Sequence, residues 1–180
     1  MASVLGLAGV WLTLRQNIWC FPAGIVSVGI YSYIFFISRL YADSALQVVY
    51  VVLLMYGWYR WSRGLQDRPL PVTKLSGAER WLAAATIAAL TGIFYFVLKR
   101  FTDSDVPFAD AITTGMSLVA QYLVAQKKIE NWIIWIVADI IYVWLFIYKD
   151  LNFTSVLYFI FIILAIKGFI EWKRNLRKAL

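Results

Sequence analysis

Polar residues interrupt this chain at intervals that leave a series of apolar runs between them, most of them of membrane length. A helix rising 1.5 Å per residue needs about 20 such residues to cross the hydrocarbon core. The runs do not alternate apolar with polar, as strands of a membrane barrel would, so they predict helices. The expected helices cover 2–16, 19–38, 43–61, 80–98, 108–126, a sixth within 127–150, and 152–172. A polar stretch after the third contains Pro69 and Pro71, which exclude regular helix there and mark a loop outside the membrane. The first run has no basic segment before it and a second run follows at once, which predicts a short first helix rather than a signal peptide.

Composition turns that pattern into a class. Of 180 residues, 62% are hydrophobic and 15% charged, and the mean hydropathy is +0.72. A soluble domain cannot bury that much apolar surface, so the expectation is an all-α integral membrane protein with seven transmembrane helices. The net charge of +7 is read as topology rather than nucleic-acid binding, because the basic residues sit at helix ends and in loops. Arg15, Arg60, Arg63, Arg68, Lys74, Arg80, Lys127, Lys128 and the basic C-terminal residues fall on one side. Arg39, Lys99, Arg100 and Lys149 fall on the other, an imbalance of roughly threefold. Lysine and arginine are retained in the cytoplasm, which predicts an external N-terminus and a cytoplasmic C-terminus.

The third and seventh helices align at a shift of 111, which sets Leu40 over Leu151, Ser44 over Ser155, Gly57 over Gly168 and Trp61 over Trp172. Tyr31 falls over Tyr142 at the same shift, whereas Asn17 meets Asn131 only at 114, which predicts a small insertion between two copies. Three helices, one linking helix and three more let the copies lie in the same orientation, a 3+1+3 arrangement of two parallel three-helix bundles. The expected divisions are a first bundle at 1–62, a cytoplasmic loop at 63–79, a linking helix at 80–99, a second bundle at 107–173 and a basic cytoplasmic tail at 174–180.

Candidate chemistry lies in the second half. Thr113, Ser117 and Gln121 recur every fourth residue along helix five, and Asn131, Trp135, Asp139 and Tyr142 share a face of helix six. A lone acid at the depth of Asp139 is paired, buried in protein or facing a wet cavity, and Lys167 on helix seven is a candidate partner. Most tryptophans, including Trp11, Trp19, Trp58, Trp61, Trp81, Trp132 and Trp172, fall near helix ends as interfacial anchors, while Trp135 and Trp144 sit deeper. A deep indole can stack on a flat ring and attract a cationic one. With no histidine and a single cysteine, the chain offers no common metal site, cofactor or disulfide. No phosphate-binding glycine loop or carboxylate pair appears, which favours passive transport over catalysis or ATP-driven pumping.

At these residues the chain resembles the PnuC family of bacterial nicotinamide riboside transporters. The resemblance is carried by the segments SLVAQ at 117–121 and KKIENW at 127–132 with Trp135 and Asp139 after them, YKDL at 148–151, the closing 168–172, and YGWYRW at 56–61. It implies a fold similar to the SWEET sugar transporters, an inner-membrane location, and homo-oligomers, with a trimer favoured. It also implies facilitated diffusion of nicotinamide riboside by alternating access, sustained by a cytoplasmic kinase that traps the substrate. The substrate-binding candidates are then Ser117, Gln121, Asn131, Trp132, Trp135, Asp139, Tyr142 and, in the first half, Tyr31. Related architectures carry riboflavin or thiamine, and the alternative from another class is a membrane scaffold without transport activity.

Overall fold

The computed structural model describes residues 2–37, 41–65 and 68–178. Seven helices are present among them: α1 (Ala2–Leu14), α2 (Cys20–Ile37), α3 (Tyr41–Arg63), α4 (Gly77–Phe101), α5 (Pro107–Ala125), α6 (Glu130–Tyr148) and α7 (Asn152–Lys178). The expected Leu40–Leu151 match, the position of Arg39 and the last two residues of the tail lie outside the described residues. What was expected as a tail from 174 is a continuation of α7 through Lys178.

Local chemistry sets the helix ends. Ser76 and Glu79 form a reciprocal capping box that starts α4, the Ser76 N–H donating to Glu79 Oε2 at 2.6 Å and the Glu79 N–H to Ser76 Oγ at 3.3 Å. Pro107 starts α5, where its missing N–H costs nothing. Three helices end on a residue with positive φ: Gln16 (55°), Lys127 (51°) and Asp150 (56°). After each, the next N–H reaches back five residues to a carbonyl, Asn17 to Leu12, Lys128 to Leu123 and Leu151 to Phe146, closing the helix in the manner of a Schellman turn.

Four helices, α2, α4, α6 and α7, are long and apolar enough to cross a bilayer on their own. The 13-residue α1 is shorter, and α5 carries its polar stripe among residues that are mostly buried. Six helices close into a ring in which α1 packs on α2, α2 on α3, α3 on α5, α5 on α6, α6 on α7 and α7 on α1. Helix α4 packs on α5 outside that ring. Its face is exposed at Trp81, Leu82, Ile93, Phe96 and Phe101, as a membrane protein's lipid-facing helix would be.

The contacts repeat at a constant offset of 111 from end to end. Trp61 Nε1 donates to the Val124 carbonyl at 3.2 Å and Trp172 Nε1 to the Thr13 carbonyl at 3.3 Å. Phe21 meets Trp61 edge-on at 5.0 Å and Trp132 meets Trp172 edge-on at 5.5 Å. Tyr31 stacks on Phe35 as Tyr142 stacks on Phe146, and Ser44 bonds the Ser32 carbonyl as Ser155 bonds that of Val143. No insertion separates the copies: α1 and α5 end at Leu14 and Ala125, again 111 apart, so the offset of 114 at Asn17 was a coincidence of residue type. The counterparts of Ser117, Gln121 and Asn131 are therefore Gly6, Val10 and Cys20.

Three tryptophans expected at the interface are core residues. Trp61, Trp132 and Trp172 are buried with Phe21, Leu54, Ile129 and Ala165, and the edge-on rings leave no room for a methyl group on the neighbouring helix. A Cβ at Gly168 would stand 2.6 Å from the Trp132 ring, and one at Gly57 would run into Phe21. Trp11, Trp19, Trp58 and Trp81 are exposed, as anchors are.

The loop after α3 is not free in solvent. Leu70, Val72 and Leu75 are buried, the Thr73 N–H donates to the Lys127 carbonyl, and the Ile129 N–H donates to the Thr73 carbonyl, both at 3.0 Å. Glu130 accepts from the Leu75 N–H, and Lys128 pairs with Glu79 at 3.0 Å. The loop is thus strapped across the α5–α6 turn.

Candidate functional site

A cavity of about 620 Å³ lies inside the ring, lined by residues of α1, α2, α3, α5, α6 and α7. Seven of the eight sequence candidates meet there: Ser117 and Gln121 from α5, Trp132, Trp135, Asp139 and Tyr142 from α6, and Tyr31 from α2. Spacings of three and four along α6 bring Trp132, Trp135, Asp139 and Tyr142 to one face, and α5 offers its stripe beside them. Asn131 does not line the cavity. It is fully buried at the head of α6, where its side-chain N–H donates to the Lys128 carbonyl at 2.6 Å, so it fastens the α5–α6 turn. Thr113, the third member of the stripe, turns its hydroxyl back to the Ala109 carbonyl at 2.8 Å, a common fate of threonine in a helix. Trp144 is exposed on the outer surface and stacks on Tyr148.

Asp139 is 4% exposed and borders the cavity, yet it forms no ion pair or hydrogen bond among the described residues. Lys167 does not reach it. That lysine is exposed on α7, one residue before Gly168, which is the side of the helix that meets Trp132. Adjacent residues on a helix diverge by about 100°, so Lys167 points away from the ring interior. The Trp132 indole N–H is also buried without a partner, while the Ser117 hydroxyl lies close to the Tyr50 and Tyr142 hydroxyls. Buried polar groups are ordinarily paired, so an unpaired carboxyl and an unpaired indole N–H beside one cavity match a site for a ligand's polar atoms.

Sequence reasoning missed the lining supplied by α3 and α7. Gln47 and Tyr50 come from α3, and Thr154, Tyr158 and Phe161 from α7. The signal was available: 47, 50 and 54 on one helix and 154, 158, 161 and 165 on the other are steps of three and four. Tyr142 and Tyr158 rings stand 4.7 Å apart and Tyr158 meets Phe161 edge-on, giving an aromatic wall beside the acid. The lining as a whole is apolar and aromatic with a few polar groups, the usual make-up of a small-molecule site.

Behind the lining residues Phe21 and Trp132, where Trp61 and Trp172 meet, the Lys127 ammonium sits 4.3 Å from the Trp61 ring centre and donates to Gln16 Oε1 at 3.3 Å. Burial holds this ammonium below the usual lysine pKa. Gln16 and Lys127 are themselves 111 residues apart, so equivalent turns of the two halves meet there.

Comparison with known proteins agrees with this geometry. The nicotinamide riboside transporter PnuC of Escherichia coli is 27% identical over 207 residues, covering 99% of this chain and 85% of that protein. The riboflavin/roseoflavin transporter RibM of Streptomyces davaonensis is 28% identical over 176 residues, covering 96% and 82%. The crystal structure of the vitamin B3 transporter PnuC superposes with a TM-score of 0.77 at 24% identity, covering 98% of this chain and 80% of that one, so the fold is shared. Residues 1–174 match the family described as nicotinamide mononucleotide transporter, and the chain is a multi-pass membrane protein that belongs to that family.

Proposed function

We propose that the protein carries nicotinamide riboside across the bacterial inner membrane by facilitated diffusion. The observation that carries this reading is the cavity of about 620 Å³ enclosed by six helices and lined by indoles, phenols, two amides and one acid. Its size lies within the range of small-molecule sites, and its groups match a flat cationic ring, a carboxamide and ribose hydroxyls. Relatives named as nicotinamide riboside transporters align over almost the full chain. In this reading α1–α3 and α5–α7 are two parallel bundles, α4 is the linking helix, and the halves rock about the cavity to expose it to each side in turn. The basic end, with Arg60, Lys74, Arg80, Lys127 and Lys128, faces the cytoplasm, where phosphorylation traps the product. The apolar outer face of α4 suits lipid or a further copy in a homo-oligomer.

Riboflavin is the second reading, favoured by the similarity to RibM. Proteoliposomes decide between them. Labelled nicotinamide riboside should equilibrate across the bilayer without ATP or an ion gradient, and faster than labelled riboflavin. Equilibration of riboflavin alone would move the assignment to flavins, and entry of neither would refute transport of these vitamins.

A further inference from the structure

The two halves present similar walls to the cavity, with one exception in charge. Asp139 is the single charged side chain among the cavity-lining residues, and its counterpart 111 residues earlier, Val28, lines the same cavity as a hydrocarbon. Asp139 is 4% exposed and unpaired, since the ion pairs among the described residues join Arg80 to Glu130, Lys128 to Glu79, Lys149 to Asp110 and Arg174 to Glu171. Keeping a carboxyl group in such a place is costly unless something compensates it. A hydrogen bond from an uncharged ligand compensates part of that cost, whereas a positive charge compensates the carboxylate directly.

We propose that Asp139 is the residue by which the cavity selects a ligand carrying a positive charge on a flat ring over an uncharged ligand of the same shape. This rests on the transporter reading above and makes it specific. The surrounding wall supports the same selection. Trp135 lies one helical turn before Asp139 on the cavity face of α6, and Tyr142 and Tyr158 lie beside it, so a cationic ring meets electron-rich faces as well as the acid. A neutral ring gains the stacking and leaves the carboxyl uncompensated. The asymmetry also fixes the ligand's orientation, because its charged end has a counter-charge only on the α6 wall.

The test compares nicotinamide riboside with its dihydro form, which has the same outline and no ring charge. Binding to the detergent-solubilised protein is followed by titration calorimetry. The wild type should bind the cation about 30-fold more tightly than the neutral isostere or better, the scale of losing one partner of a buried charge pair. Asp139→Asn should cut that ratio to about threefold or less, and Asp139→Glu should restore most of it. Equal binding of the two forms by the wild type overturns the selector while leaving nicotinamide riboside as a ligand. So does an unchanged ratio in a folded Asp139→Asn protein. If that variant is not recovered folded, the wild-type ratio decides alone. Binding of riboflavin without either riboside form overturns both the selector and the nicotinamide assignment, and leaves transport of a vitamin standing.

Discussion

Trp61 and Trp172 hold hydrogen bonds that are exchanged between the halves: each indole donates to a backbone carbonyl in the other half, and the two rings stand 6.1 Å apart between them. Trp61→Phe and Trp172→Phe remove the donor and one of the two fused rings. Each should lower stability in detergent by about 2–4 kcal/mol, the carbonyl left without its donor plus the cavity left in the core. Because the rings touch, the double variant should depart from the sum of the singles by about 0.5 kcal/mol or more in thermal unfolding. Strict additivity would mean that the two bonds act independently.

Gly168 is where α7 comes close to the Trp132 ring, and Trp132 borders the cavity. Gly168→Ala should force that ring to move, costing about 1–3 kcal/mol of stability and weakening ligand binding together. Gly92, on α4, has open space where a Cβ would go, so Gly92→Ala should leave binding unchanged and serves as the control. Calorimetry and thermal unfolding of the same samples report both effects.

Trp135→Ala and Gln121→Ala should each reduce affinity for the transported vitamin about tenfold, the loss of one stacking or hydrogen-bonding partner. The folded protein should be recovered in both cases, since both residues border the cavity and neither is fully buried. Unchanged affinity in both variants would place the ligand elsewhere.

Lys127 makes a prediction about pH. Its folded pKa is lowered by burial, so the unfolded chain binds more protons in the alkaline range and stability rises as pH increases through the folded value toward the unfolded one, about 10.4. The Tm of the wild type relative to Lys127→Met should therefore climb between neutral pH and that value. A difference that stays flat or falls would show that the ammonium is not penalised by its surroundings.

Thr73→Pro removes the N–H that donates to the Lys127 carbonyl and should release the strap from the α5–α6 turn. Limited trypsin digestion should then cut after Lys74 several-fold faster than in the wild type.

Much of this molecule was legible from residue order. The apolar runs located all seven helices, because membrane length and hydrophobicity are properties of single segments. The α5 and α6 candidates converged because steps of three and four are conserved through folding, whatever the neighbours do. What could not be read was which neighbour each face meets. Trp61, Trp132 and Trp172 occupy the helix-end positions where tryptophan usually anchors to lipid, and only the approach of α3 and α7 across the ring makes them core. Asn131 shares a helical face with Asp139, but its depth at the turn places its amide on Lys128 instead of the cavity. The prolines marked a loop outside the membrane, but not that Leu70, Val72 and Leu75 give it an apolar side that packs against the α5–α6 turn.

That strap has a mechanical consequence. At Thr73 and Leu75 the loop is bonded to the α5–α6 turn and to Glu130, so a segment that leaves directly from the first half is fastened to the second. Between the end of α3 and that attachment stands Gly64, with φ +62° and no space for a Cβ beside the Arg68 carbonyl. Only glycine takes that conformation freely. Any side chain at Gly64 must displace the Arg68 carbonyl and open the turn bonded between Leu65 and Arg68, so a substitution there would loosen the link between the halves without touching the cavity.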